Sequence, residues 1–396
     1  MGADAWGQRK LGEVSYSLVR GPFGGSLKKE IFVSQGYRVY EQQDAIYGAE
    51  VNGRYYITQD KYDEMSRFAI ADGDFIISCS GTIGKIHRLP QNSPSGVINQ
   101  ALLKITVDES KILPDFFLQY FRWDKFQHSI IDDTQGGAIK NLIGMDSFKK
   151  TEINCPAIAE QTAIGDFFRT LDDAITLHQR KLDYLRELKR GYLQQMFLQA
   201  GERVPRVRFS GFVGEWINKK AGEVFISVSD KNHPHLPVLS ASQEKGMVLR
   251  DEIGIDIKYN ENALGTYKRI MPEQFAIHLR SFQGGFAHST LEGITSPAYT
   301  ILNFENKGEH DSTFWKEIFT SSSFIKRLET ITYGIRDGRS ISFDEFSTLI
   351  MHCPTVVEQT VIGNFFRIFD EQITAQATKL KQLKQLKAAY LQQMFV

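Results

Sequence analysis

The stretch "CPAIAEQTAIGDFFRTLDDAITLHQRKLDYLRELKRGYLQQMFL" (155–198) decides the fold, because it returns without a gap as "CPTVVEQTVIGNFFRIFDEQITAQATKLKQLKQLKAAYLQQMFV" (353–396). About 24 of these 44 positions are identical, at a constant offset of 198 residues, half of the 396-residue chain. Self-similarity at a fixed offset marks a duplicated architecture, and a single repeat this far apart is a duplication, since solenoid periods run to roughly 20–50 residues.

Within the first copy, apolar residues recur at Ile164, Phe168, Leu171, Ile175, Leu182, Leu185 and Tyr192; in the second they recur at Ile362, Phe366, Phe369, Ile373, Leu380, Leu383 and Tyr390. Steps of three, four and seven are the seam of an amphipathic helix. Pro156 and Pro354 stand just upstream, where proline is tolerated at a helix start, and neither arm contains an internal proline. At ~1.5 Å per residue, about 38 residues make an arm of roughly 57 Å.

An isolated amphipathic helix leaves its apolar stripe in water, so the two seams are expected to pack on each other. An antiparallel coiled coil would carry the globular halves to opposite ends. The polar seam positions His178 and Gln376 are equivalent in the repeat and lie near mid-arm. Two readings of them stay open: they meet and pin the register, as a polar core residue can, or they face solvent where the seam drifts. The near-invariant ending "YLQQMF" (192–197 and 390–395) suits a pair of equivalent docking sites, against the plainer reading of an intramolecular coiled coil without partners.

The chain divides into a lobe at 1–152, an arm at 153–200, a second lobe at 201–350 and a second arm at 351–396. Each lobe reads as mixed strand and helix. "DGDFIISCSGTIGKI" (72–86) and "EQFAIHLRSFQGGF" (273–286) are β-rich runs broken by glycine, while "PDFFLQYFRWDKFQHSI" (114–130) and "STFWKEIFTSSSFIKRL" (312–328) have helical spacing. The lobes open alike, "WGQRKLGEV" (6–14) against "WINKKAGEV" (216–224), and then diverge. The glycine, proline and arginine content of 199–216 marks an exposed linker.

Composition excludes several classes of function. The 47 basic and 47 acidic side chains cancel, so nucleic-acid affinity must come from local patches or a basic partner. No apolar run approaches the ~18 residues of a membrane span, and no signal sequence is evident, which predicts a cytoplasmic protein. Cys79, Cys155 and Cys353 lack metal-ligand spacing and read as small buried residues in a reducing compartment. "SGTIGK" (80–85) is too short for a phosphate loop and is followed by Ile86. Methyltransferase, zincin and nucleophile-elbow motifs are missing, and His233 and His235 around Pro234 read as a turn. No catalytic residue and no metal ligand is expected.

What remains is a set of glycine-flexible loops with basic, amide and aromatic side chains, the types that match base edges and phosphates. In the first lobe they carry Arg54, Tyr55, Tyr56, Thr82, Lys85, Gln135 and Lys140; in the second, Arg280, Gln283, Tyr333, Arg336 and Arg339.

The alternation of lobe and arm, the "P-x-x-x-E-Q-x-x-I-G-x-F-F" arm start at 156–168 and 354–366, "GDFIISCSGTIGK" (73–85) and "ITSPAYTIL" (294–302) together resemble the DNA-specificity subunits of type I restriction-modification enzymes. The resemblance implies an α+β fold: two globular mixed α/β target-recognition domains separated by two long helices packed as an antiparallel coiled coil, pseudo-twofold symmetric. It also implies a non-catalytic subunit of a bacterial defence system, in which each lobe reads half of an asymmetric bipartite target in double-stranded DNA. The arms would set the spacer and dock two methylation subunits, with restriction subunits beyond. S-adenosylmethionine, ATP and magnesium would be used by those partners, with no cofactor in this chain. A duplicated coiled-coil interaction adaptor without DNA binding is the other class to be weighed.

Overall fold

A computed structural model of the chain describes residues 6–22, 25–48, 53–132, 141–142, 144–199, 201–242, 245–253, 261–278, 285–331 and 341–395. Both arms are single helices of 39 residues, Ile158–Met196 and Val356–Met394. The compact units do not follow the linear order of lobes and arms. One comprises Met1–Gln179 with Lys379–Val396, the other Arg180–Thr378. Each unit is therefore a lobe together with the start of one arm helix and the end of the other.

In the unit holding the first lobe, the core sheet runs Ser15–Arg20, Leu102–Val107, Phe75–Ser78, Ile86–Arg88, antiparallel throughout. A smaller mixed sheet joins Tyr56–Ile57, Tyr37–Tyr40 and Gly96–Ile98, the last pair parallel. Helices Pro114–Arg122 and Asp124–Ile130 cover the core sheet, the first opened by its proline. In the other unit the core sheet runs Phe225–Val228, Thr300–Phe304, Phe275–Ile277, Phe286–His288, covered by helices Ser312–Thr320 and Ser322–Ile331. The same strand order recurs in lobes whose middle sequences do not align.

A two-stranded ribbon closes each lobe. Gly7–Lys10 pairs with Glu152–Cys155, and Ile217–Lys220 pairs with Ile350–Cys353, with Gly7 opposite Cys155 and Ile217 opposite Cys353. The three cysteines are free and buried. Burial pushes the Cys155 thiol up to about 11 and those of Cys79 and Cys353 to about 12, so all three stay protonated and unreactive at neutral pH.

The repeated arm start is the joint between helix and lobe, and most of its letters have a partner. Glu160 accepts from the Trp6 indole N–H at 3.2 Å, and Glu358 from that of Trp216 at 3.4 Å. The Gln161 amide oxygen accepts from the Leu113 backbone N–H at 2.8 Å, at the foot of helix Pro114–Arg122, while its nitrogen donates to the carbonyls of Lys111 and Pro156. Gln359 repeats this with the Asp311 N–H and the carbonyls of Glu309 and Pro354. These amides satisfy backbone groups that burial would otherwise leave unpaired. Gly165 and Gly363 lie where the arm crosses a covering helix: a Cβ on Gly165 would come within 3.0 Å of Asp115 Cβ, and one on Gly363 within 2.9 Å of the Phe314 nitrogen.

Beyond the joint, the seam is divided between lobe and arm. Ile164 and Phe168 are buried in the first lobe's core with Phe395 from the end of the second arm; Ile362 and Phe366 lie in the second lobe's core with Met196 and Phe197 from the end of the first. In the unit with the first lobe, Phe168 stacks on Phe395, Phe167 meets Tyr390 and Asp172 pairs with Lys387. In the other, Tyr192 meets Phe365 and Phe369, and Lys189 pairs with Asp370 and Glu317. As numbers rise along one helix they fall along the other, so the helices are antiparallel in each unit. Leu171, Leu182, Leu185 and Leu380 are buried, and Phe369, Ile175, Ile373 and Leu383 half-buried. Gln376 is buried and His178 half-buried; they belong to different units.

The apolar letters of "YLQQMF" thus have an intramolecular explanation. Met196, Phe197 and Phe395 sit in lobe cores, and the face left exposed consists of Gln194, Gln195, Gln392 and Gln393. The docking expectation for this hexapeptide narrows to those glutamines and the half-buried Tyr192 and Tyr390.

Candidate nucleic-acid interface

In the first lobe, the segment between strands Phe75–Ser78 and Ile86–Arg88 is a closed loop. The Ser78 N–H donates to the Lys85 carbonyl at 2.9 Å, and the Lys85 N–H donates to the Ser78 hydroxyl at 3.0 Å. Gly81 and Gly84 adopt φ of +63° and +74°, which glycine takes at little cost, and this turns the loop back on itself. "SGTIGK" is therefore a strand-to-strand turn, not the strand-to-helix loop that cradles a nucleotide phosphate. Thr82 and Lys85 are both exposed on it.

The short helix Gln42–Tyr47 supports this loop from the side. The Gln42 amide donates to the Ser80 carbonyl and, at 3.3 Å, to that of Thr82. The helix is fixed in turn by a buried ion pair, Arg38 Nη2 to Asp44 Oδ1 at 2.5 Å. Burial raises the Asp44 pKa, and the Glu41 backbone N–H and Arg38 act against that rise.

Arg54 lies close enough to the start of the same helix for its charge to act on Glu41. Burial raises the Glu41 pKa while the Arg54 charge lowers it. The Arg54 guanidinium lies 5.4 Å from the Tyr55 ring centre, and Tyr55 stacks on Phe32 at 4.4 Å. Tyr55 and Tyr56 are half-buried, with Tyr56 in the strand facing Arg38. Gln42 thus holds the Thr82 loop, and the neighbouring Glu41 feels the Arg54 charge. Arg54, Thr82 and Lys85 are exposed cations and hydroxyls, whereas the two tyrosines mainly support.

Gln135, Lys140, Arg280, Gln283, Tyr333, Arg336 and Arg339 lie outside the described residues. Arg280 and Gln283 fall in sequence between strands Phe275–Ile277 and Phe286–His288, which hold the places in the second sheet that the loop-bearing strands hold in the first. His233 and Asp230 bond at 2.8 Å, with Arg269 also on Asp230, in a segment where Asn232 takes φ of +69°. That is the turn expected of "HPH". Among the described residues no group of His, Cys, Asp or Glu could hold a metal ion, and no helix is long and apolar enough to cross a membrane.

Two residues of this surface escaped the sequence reading. Gln42 is positional, and nothing in its neighbourhood of sequence marks it. Tyr47, 78 % exposed at the end of the same helix and followed by Gly48, presents a ring of the kind that stacks on bases. An aromatic beside a glycine was the available signal.

Residues 4–187 match the family model of the type I restriction modification DNA specificity domain. No curated protein matches the chain significantly. Among solved structures, the S subunit of a type I restriction-modification system from M. genitalium is similar at a TM-score of 0.63 and 14 % identity, covering 99 % of this chain and 96 % of that one. A structure described as showing complex assembly and conformational transition of the type I R-M system is similar at 0.53 and 15 %, covering 98 % and 97 %. The domain matched is one of DNA specificity and not of catalysis. Residues 4–187 thus match a type I restriction modification DNA specificity domain, and along its whole length the chain has the fold of the S subunit of such a system.

Proposed function

We propose that this chain is the sequence-reading member of a type I complex, with each lobe reading one half of an asymmetric bipartite target in double-stranded DNA. The observation that carries this reading is the contrast between joint and loops. Both lobes are fixed to their helices by the same tryptophan–glutamate, glutamine and glycine contacts, while the loops on their sheets have unrelated sequences. Identical mounting with different loops suits two readers of different half-sites; identical lobes would read a palindrome.

The four segments 1–152, 153–200, 201–350 and 351–396 then act as reader, spacer, reader, spacer. Helices of 39 residues at ~1.5 Å each are roughly 58 Å long, more than one DNA turn of roughly 34–36 Å, and serve to fix the unread spacer. Their repeated outer faces receive two methylation subunits, and restriction subunits complete the complex in the cytoplasm. Methyl transfer with S-adenosylmethionine and magnesium- and ATP-dependent cleavage belong to those partners. Because the chain's formal charge is zero, the isolated subunit binds DNA weakly and the assembled complex tightly.

The adaptor reading makes the opposite forecast for DNA. Duplex binding by the assembled complex, followed from about 50 to 200 mM salt, should fall by orders of magnitude if phosphates are contacted. A complex that assembles normally but has no salt-dependent affinity for duplex would favour the adaptor.

A further inference from the structure

The two units differ at one equivalent place. In the unit of residues 180–378, the linker segment Val207–Phe209 lies across the start of the second arm. Arg208 grips Glu358 with two parallel bonds, Nε to Oε1 at 2.7 Å and Nη2 to Oε2 at 2.8 Å. The Phe209 ring meets Phe365 edge-on at 5.5 Å, Phe365 meets Tyr192 at 5.2 Å, and the Val207 N–H donates to the Gln195 carbonyl at 3.0 Å. Glu358 is 1 % exposed as a result. Arginine with carboxylate, ring with ring and one backbone bond make a built site for an extended Arg-Phe segment.

The unit of residues 1–179 and 379–396 has the same receiving surface, 198 residues away in sequence: Glu160 for Glu358, Phe167 for Phe365, Tyr390 for Tyr192 and Gln393 for Gln195. Phe167 meets Tyr390 at 5.0 Å, and Glu160 accepts from Trp6, just as their counterparts do. Nothing among the described residues lies on it as the linker does. Glu160 is exposed and has no ion pair among the described residues, and Phe167 is 39 % exposed.

We infer that Glu160, Phe167 and Tyr390 form a peptide-binding site whose occupant is an extended segment of a separate polypeptide carrying adjacent arginine and phenylalanine. Its arginine pairs with Glu160 and its phenylalanine packs on Phe167, as Arg208 and Phe209 do on Glu358 and Phe365. A second copy of this chain is the weaker occupant, because lending its linker would empty one such site to fill another, which leaves the balance of interactions unchanged. The inference does not depend on what the lobes read.

The test is titration of a fluorescent peptide of residues 204–214, VPRVRFSGFVG, into the full chain, followed by anisotropy. Saturable one-to-one binding is expected, weakened about tenfold or more by Arg208→Ala or Phe209→Ala in the peptide. The same loss is expected from Glu160→Gln in the chain, which keeps the acceptor for Trp6, and from Phe167→Ala. Absence of saturable binding, or binding insensitive to Glu160→Gln and Phe167→Ala but lost with Phe365→Ala, would overturn the site. Self-association of the chain that Phe209→Ala abolishes would overturn the separate polypeptide as occupant.

Discussion

Replacing Gln161 by leucine tests the joint between arm and lobe most sharply. The side chain is 1 % exposed, and its amide makes three bonds, from Leu113 N at 2.8 Å and to the carbonyls of Pro156 at 2.9 Å and Lys111 at 3.1 Å. Leucine has similar bulk but no polar atom, so Gln161→Leu strands one N–H and two carbonyls. Each stranded group costs about 1–3 kcal/mol, about 3–9 for the three, and the gain from burying leucine offsets about 1–2, leaving about 2–7 kcal/mol net. For a unit of this size, 1 kcal/mol moves the melting temperature by about 2–4 °C, so a fall of at least about 4 °C, and up to about 28 °C, is expected. Scanning calorimetry of the whole chain should show the loss in one transition, that of the unit holding the first lobe. Gln359→Leu should do the same to the other unit, somewhat less, because its bonds of 2.9 to 3.4 Å are longer. A shift under about 2 °C in both variants would refute the claim that these amides hold the joints.

Gly363→Ala should destabilise, although a helical glycine-to-alanine change ordinarily gains about 1 kcal/mol, because the new methyl meets the Phe314 nitrogen and the Asp311 carboxylate; Gly191→Ala, with open space around it, should show the ordinary gain, and urea denaturation compares the two. Lys189→Ala should cost about 3 kcal/mol, since it leaves two carboxylates, Asp370 and Glu317, the latter 2 % exposed, to share Lys316 alone. Lys387→Ala should cost less in the same assay, because Arg122 and Gln119 still face Asp172. Burial holds the His288 pKa down at about 4 from its ordinary 6.5, so the unfolded chain takes up a proton that the folded chain refuses. Stability from this residue is complete above pH 6.5 and is lost as the pH falls toward 4, by about 3 kcal/mol in all. His310 and His352, also lowered by burial, act in the same direction. His288→Phe should flatten the urea midpoint between pH 7 and pH 5, and an unchanged slope would count against the assignment.

The helices were legible because a stripe at steps of three and four survives in sequence whatever it packs on. What the stripe meets was not legible: Phe168, Phe366, Met196 and Phe197 go into lobe cores, and amphipathicity records only that a face is hidden. Glu160, Gln161 and Gly165 stood out as repeated letters, but their partners Trp6, Leu113 and Asp115 lie about 50 to 150 residues away, beyond any local pattern. The common strand order of the lobes was hidden for a related reason. Ser15–Arg20 pairs with Leu102–Val107 through backbone bonds that many side chains permit. Among the loop residues, glycine content located the turn at Thr82 and Lys85, yet it could not distinguish exposed Arg54 from half-buried Tyr55 and Tyr56, whose neighbours Phe32 and Arg38 come from other strands and loops.

The most direct measurement of the central claim is a genome sequence that resolves methylated bases, taken from host cells with and without this chain. One asymmetric bipartite motif should lose its methyl groups when the chain is absent and regain them when it is restored. A palindromic motif, or no change at any motif while the partner methylation subunits are present and active, would contradict the assignment of two different readers to the two lobes.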